Sequence, residues 1–136
     1  MGFSFPKSNR LLKTNQFRTV FDDGLKKVSR HLVIFGLPAD TNRLGLVVSK
    51  KVGNAVVRNR VKRILRENFR QETFGKSIPM DLVVVARHTA KAASNDELSS
   101  SLAKGIDRLE RALIERKQKI DQDAKHIAEK SLADQE

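Results

Sequence analysis

Between Asn54 and Thr73 the sequence spells a helix with two opposed faces. At 100° per residue Val57, Val61, Ile64, Leu65 and Phe69 fall on one side, while Asn59, Lys62, Arg63, Arg66 and Arg70 fall on the other. Gly53 marks the turn before it and Asn54 is the expected N-cap. Such a segment must bury its apolar side against another element and hold its cationic side in water or against a polyanion. An ordinary solvated face carries acids at i,i+4 spacing, but from Lys50 to Arg70 eight Lys/Arg meet a single acid, Glu67. Residues 1–75 hold sixteen Lys/Arg against five Asp/Glu, whereas 76–136 hold eleven of each, so the net charge of +11 belongs to the first half. That concentration is the electrostatic footprint of a nucleic-acid binder.

The rest of the chain supplies partners for the apolar side. Leu32–Leu37 and Leu44–Ser49 read as strands joined by the turn-rich stretch 38–42, which predicts a hairpin or meander. In the first strand Leu32 and Ile34 point one way and Val33 and Phe35 the other, so one sheet face is a core and the other is available as a binding surface. Asp81–Ala86 has the β-branched run of a strand buried on both faces. Upstream, Asn9–Phe21 predicts a short helix capped by Thr14 or Asn15, with Phe17 and Phe21 sharing a face. Ser94 and Glu97 form a capping box that opens a helix striped by Leu98, Leu102, Ile106, Leu109 and Leu113. Past Arg116 the stripe thins to Ile120, Ala124 and Ile127. A single α+β domain results, over residues 9–116, with a flexible start at 1–8 and a charged tail at 117–136 that is helical or disordered.

Several classes of function drop out. The chain has no Cys, and His31, His88 and His126 are too dispersed for a ligand cluster, so no metal site is expected. The longest strongly apolar run, Leu82–Ala86, is far short of a membrane span, and the start lacks the pattern of an export signal, so a cytoplasmic protein is expected. No Ser/His/Asp or Glu-x-x-His spacing is present, and Lys50–Asn54 lacks the Gly-rich spacing of a phosphate loop, although a helix start there still offers amides to an RNA phosphate. No catalytic residue is assigned. Phe17, Phe21 and Phe35 admit two readings, core packing or an apolar floor for unstacked bases.

From Lys50 to Arg66 the sequence resembles the signature of the bacterial ribonuclease P protein family, a Lys-Lys-x-Gly-Asn-Ala turn followed by an Arg-Asn-Arg-x-Lys-Arg helix. The flanks agree: Arg10–Phe21 matches the family's opening, Leu44–Lys50 its Leu-Gly-Leu-x-Val-Ser-Lys strand, and Asp81–Arg87 its Asp-Leu-Val-Val-Val-Ala-Arg strand. The likeness covers about residues 9 to 114. It implies the element order α-β-β-β-α-β-α, with a left-handed β-α-β crossover against the right-handed rule that holds in about 98% of cases.

The resemblance also implies a function: the protein subunit of a ribonucleoprotein endonuclease, a hydrolase of tRNA processing. Its catalytic RNA holds the active site and the Mg²⁺ ions and removes the 5′ leader of precursor tRNA. Position by position, Asn54, Arg58, Asn59, Arg60, Lys62, Arg63, Arg66 and Arg70 would dock the catalytic RNA. Phe17, Phe21, Phe35, Ser49, Lys50, Lys51 and Arg87 would line a cleft for the single-stranded leader. The protein would be a monomer on its own. The rival is a ribosomal-type protein that only scaffolds RNA; a helix-turn-helix DNA reader is disfavoured by strands on both sides of the basic helix.

Overall fold

Met80–Ala86 is apolar toward both sides of an extended strand, so it belongs where both faces are covered and both edges are paired. In the computed structural model, which describes residues 9–134, it does occupy such a place. The elements run α1 (Thr14–Asp23), β1 (Leu25–Val28), β2 (Leu32–Pro38), β3 (Arg43–Val47), α2 (Ala55–Thr73), β4 (Met80–Ala86), a 3₁₀ turn (His88–Lys91) and α3 (Asn95–Asp134). This is the expected order α-β-β-β-α-β-α in one α+β domain. The sheet order is β1-β2-β4-β3.

That order corrects one expectation. β2 and β3 do not pair with each other; β4 lies between them, antiparallel to β2 and parallel to β3. The hairpin is instead β1–β2, and β3, α2 and β4 form a parallel β-α-β unit. The physical reason is burial: β2 and β3 are each half-covered on one face, and only β4 needs neighbours on both edges. β1 was not visible in the residues themselves, because Leu25-Lys26-Lys27-Val28 is half cationic.

α2 and α3 cover one face of the sheet. Leu32, Ile34, Leu82 and Val84 meet Val61, Ile64, Leu65 and Phe69 from α2 and the stripe Leu98, Leu102, Ile106, Leu109 and Leu113 from α3, all buried. α1 covers part of the other face, where Leu11, Val20 and Val83 form a second, smaller core. Its N-cap is Lys13, not Thr14 or Asn15; Gln16 Oε1 reaches back to accept the N–H groups of Leu12 (2.8 Å) and Lys13 (3.0 Å). The reach-back of a glutamine at the third helical position replaces the hydroxyl cap.

α3 runs unbroken to Asp134, so the boundary drawn at 116 and 117 falls inside a helix. Its last buried residue is Leu113, and from Glu115 onward every described residue is exposed. The expected flexible segment 1–8 lies outside the described residues, as do the last two positions of the tail.

The start of α3 is held by the expected capping box: Glu97 N–H donates to Ser94 Oγ at 3.1 Å and Ser94 N–H to Glu97 Oε1 at 3.2 Å. The other carboxylate oxygen lies 3.2 Å from Nε2 of buried His31, whose Nδ1 is 3.0 Å from Thr89 Oγ1. The Ser94 N–H above all, and then the His31 ring, hold the Glu97 carboxyl below its ordinary pKa. A lowered folded pKa means that this contribution is complete above the unfolded value of about 4.3 and is lost as pH falls through the folded one. Melting temperature followed from pH 6 to pH 3 should therefore drop more steeply in the parent than in Glu97→Gln; identical acid limbs would remove Glu97 from the account.

Candidate nucleic-acid interface

Asn54 Oδ1 accepts the Val57 N–H at 3.0 Å and starts α2 where the sequence places it. Gly53, at φ +155, makes the preceding turn, and a Cβ there would stand 3.0 Å from the Val57 side chain. Burial of Val61, Ile64, Leu65 and Phe69 then sets the helix rotation. It leaves Asn59, Arg63 and Arg70 exposed and Arg58, Lys62 and Arg66 half-buried along the outer side. Among the described residues, Arg58, Lys62, Arg63 and Arg66 enter no ion pair, and Arg58 Nε is buried without a hydrogen-bond partner. Arg60 is committed differently. Its Nη2 donates to the Ala93 carbonyl at 2.8 Å and to Asn95 Oδ1 at 2.9 Å, pinning α2 to the turn that opens α3. The sequence carried no signal for that role.

Phe17, Phe21 and Phe35 gather on the α1 side of the sheet. Register puts Lys26, Phe35, Val83 and Gly45 in one row across all four strands. Phe17 descends from α1 onto Gly45, so closely that a Cβ at Gly45 would lie 2.6 Å from its ring. Phe21 meets Phe35 edge-on, with centroids 4.9 Å apart and planes at 88°, and Lys26 Nζ stands 5.9 Å from the Phe35 centroid. Phe17 and Phe35 are half-buried and Phe21 is 37% exposed. The core and floor readings thus meet: the rings close the edge of the small core around Val83 and keep part of their surface open.

Ser49, Lys50 and Lys51 follow the end of β3, and Arg87 follows the end of β4. Because those strands are parallel neighbours, all four residues lie at one end of the sheet, and all are exposed. Ser49 Oγ accepts the Lys51 N–H at 3.3 Å, and an Arg87 Nη donates to the Ser29 carbonyl at 2.8 Å. Around the β3 edge a hollow of about 210 Å³ joins the two surfaces, since Phe17 from the aromatic face and Lys62 and Arg66 from α2 line it together with Arg10 and Leu12. Sequence reasoning missed Arg10 and Lys26: the first gains its place through a bridge to Leu44, the second through a strand whose pattern is too polar to read. Among the described residues no three His, Asp or Glu side chains come together as a metal site.

Comparison with known proteins decides the family. The family model described as Ribonuclease P matches residues 5–110. The chain belongs to the Ribonuclease P family. The ribonuclease P protein component of Desulforapulum autotrophicum is 38% identical over 113 residues, covering 82% of this chain and 97% of that protein. The structure of the Staphylococcus aureus RNase P protein superimposes with a TM-score of 0.68 at 34% identity, covering 74% of this chain and 94% of that one. The RNase P protein from Thermotoga maritima gives 0.63 at 28% identity, over 75% and 96%. In this ribonuclease P protein the matched stretch contains α1, the whole sheet and α2, and ends within α3, so the exposed helical extension lies outside it.

Gly45 is the position on which the aromatic surface of this chain depends, since only a missing side chain lets Phe17 rest on the sheet. Gly45→Ala should cost about 1 to 3 kcal/mol in urea unfolding through overpacking. Adding Phe17→Leu should restore part of that loss. A neutral Gly45→Ala would show that the ring moves freely.

Proposed function

We propose that this chain is the protein subunit of a ribonuclease P ribonucleoprotein, binding the catalytic RNA through α2 and the 5′ leader of precursor tRNA across the aromatic face. The observation that carries the reading is the hollow at the β3 edge, where Phe17 and the unpaired cations Lys62 and Arg66 share one wall. A structured RNA and a single strand can therefore be held side by side. Arg forks and the Asn59 amide on a rigid helix suit phosphates and base edges of a folded RNA. A leader of variable sequence needs contacts that ignore base identity, which Phe17, Phe21 and Phe35 supply by stacking and Lys50, Lys51 and Arg87 by charge. A ribosomal-type scaffold would leave the aromatic face without a ligand.

In this reading bond cleavage belongs to the RNA. Among the described residues no three acids or histidines come together to hold an Mg²⁺, and three of the acids are already committed: Asp81 is bound on both oxygens by Arg43, Glu97 caps α3, and Asp107 pairs with Lys76. The Mg²⁺ requirement is assigned to the RNA partner and substrate. The protein's part is to orient and to offset phosphate repulsion between the two RNAs. The free protein is taken to be a cytoplasmic monomer; no helix among the described residues is long and apolar enough to cross a membrane.

The test is reconstitution with a bacterial ribonuclease P RNA. The protein alone should cleave nothing, and with the RNA it should lower the Mg²⁺ concentration needed to release the leader. Phe35→Ala should weaken binding of precursor tRNA by about 1 to 3 kcal/mol while leaving mature tRNA unaffected. Because the ring is only partly buried, the same change should cost less stability than the roughly 3 to 5 kcal/mol of a fully buried Phe. Equal loss for both substrates would return Phe35 to a packing role, and cleavage by RNA-free protein would overturn the assignment of catalysis.

A further inference from the structure

At the sheet edge opposite β3, β1 and α3 enclose a hollow of about 190 Å³ that the reading above does not use. Four cations line it, Lys27 and Arg30 from the β1 side and Lys104 and Arg108 from α3, together with Ser100 and Ser101. Register accounts for Lys27: it pairs with Ile34, whose side chain faces α3, while its neighbour Lys26 pairs with Phe35 on the other face. On α3 the positions 100, 101, 104 and 108 fall on one helical face. Among the described residues none of the four cations enters an ion pair, and neither serine hydroxyl makes a hydrogen bond. No acid lines the hollow. Asp96 and Glu97 line an adjoining hollow that shares Arg30, Ser100 and Ser101 with this one, and Glu97 is already held by Ser94 and His31; Asp107, between Lys104 and Arg108 on α3, pairs with Lys76.

Four uncompensated cations and two free hydroxyls around one small space repel one another until an anion enters. No aromatic side chain is present to stack a base, so the chemistry selects phosphate. The large positive charge of the chain favours a polyanion over a free ion. We propose that this hollow binds a backbone phosphate of an RNA segment separate from the one on α2. The two sites are on opposite edges of a sheet three strand spacings wide, about 14 Å, so the same nucleotide does not serve both. The proposal rests on the RNA-binding reading, and the phosphate belongs either to the catalytic RNA or to the precursor tRNA.

The experiment measures binding of the full chain to each of these RNAs separately as a function of salt. Lys104→Gln with Arg108→Gln removes the α3 wall that holds this one phosphate, so the plot of log K against log[salt] should become shallower by about 0.7 to 0.9. The RNA whose slope changes is the source of the phosphate. Lys27→Gln with Arg30→Gln, on the other wall, should give a similar change, and circular dichroism should be unaltered in both because all four side chains reach the surface. Unchanged slopes for both RNAs, with the parent binding normally, would overturn the hollow and leave the proposed function standing. Failure of the parent to bind either RNA would overturn both. A change in slope for Arg63→Glu with Arg66→Glu but for neither hollow variant would confine RNA binding to α2, against this proposal.

Discussion

Six of the seven residues of β4 are buried, and a strand buried on both faces has to be covered by helices on each side and paired along both edges. Full burial of side chains such as Leu82, Val83 and Val84 is worth about 1.5 to 3 kcal/mol apiece, so no competing arrangement leaves β4 at an edge. Its central position parts β2 from β3. Parallel pairing with β3 then demands a long crossover, and α2 is that crossover. A helix crossing the sheet turns its apolar side down and its cationic side out, so the basic surface follows from the strand order. The same parallel pairing brings Ser49–Lys51 and Arg87 to one end of the sheet.

Register at the other end is guarded electrostatically. Arg43 donates through Nε and Nη2 to the two oxygens of buried Asp81, at 2.8 and 2.7 Å. Those residues are partners in the β3–β4 ladder. A carboxylate removed from water is costly unless both oxygens are satisfied, and the bidentate guanidinium does that. A slip of one residue would break the fork and carry Asp81 to the face packed by α2 and α3, while Leu82 and Val84 would exchange faces with it.

Much of this was legible in the residues. The two-sided pattern of α2, the stripe and capping box of α3, and the opposed faces of β2 depend on local periodicity and on one cap apiece, and they stand in the structure where the sequence puts them. What could not be read depends on tertiary context. The supposed hairpin of β2 and β3 fails because strand order is set by which strand needs the centre, and that is a property of all four strands together. β1 pairs as an edge strand on the strength of its neighbour, since Lys26 and Lys27 carry no strand signal of their own. Within the basic signature nothing local separates Arg60 from Arg58 or Arg63; only the arrival of Ala93 and Asn95 beside it turns that guanidinium into a staple between helices.

The half-open aromatic face has a simple geometric origin. α1 has ten residues and spans about 15 Å, and it is fixed by Leu11, Phe17 and Val20 packing near Val83 and Gly45. α3 runs far past the sheet, and with α2 it seals the opposite face. One short helix cannot cover a four-stranded sheet, so Val33, Phe35, Val47 and Val85 remain half-buried. Exposed aliphatic surface of that kind invites association between copies unless charge surrounds it. Here Lys26 stands beside Phe35, and Lys62 and Arg66 border the hollow that holds Phe17. A second copy approaching this face would bring like charge against these cations, and they are the same cations that the proposed function gives to the RNA.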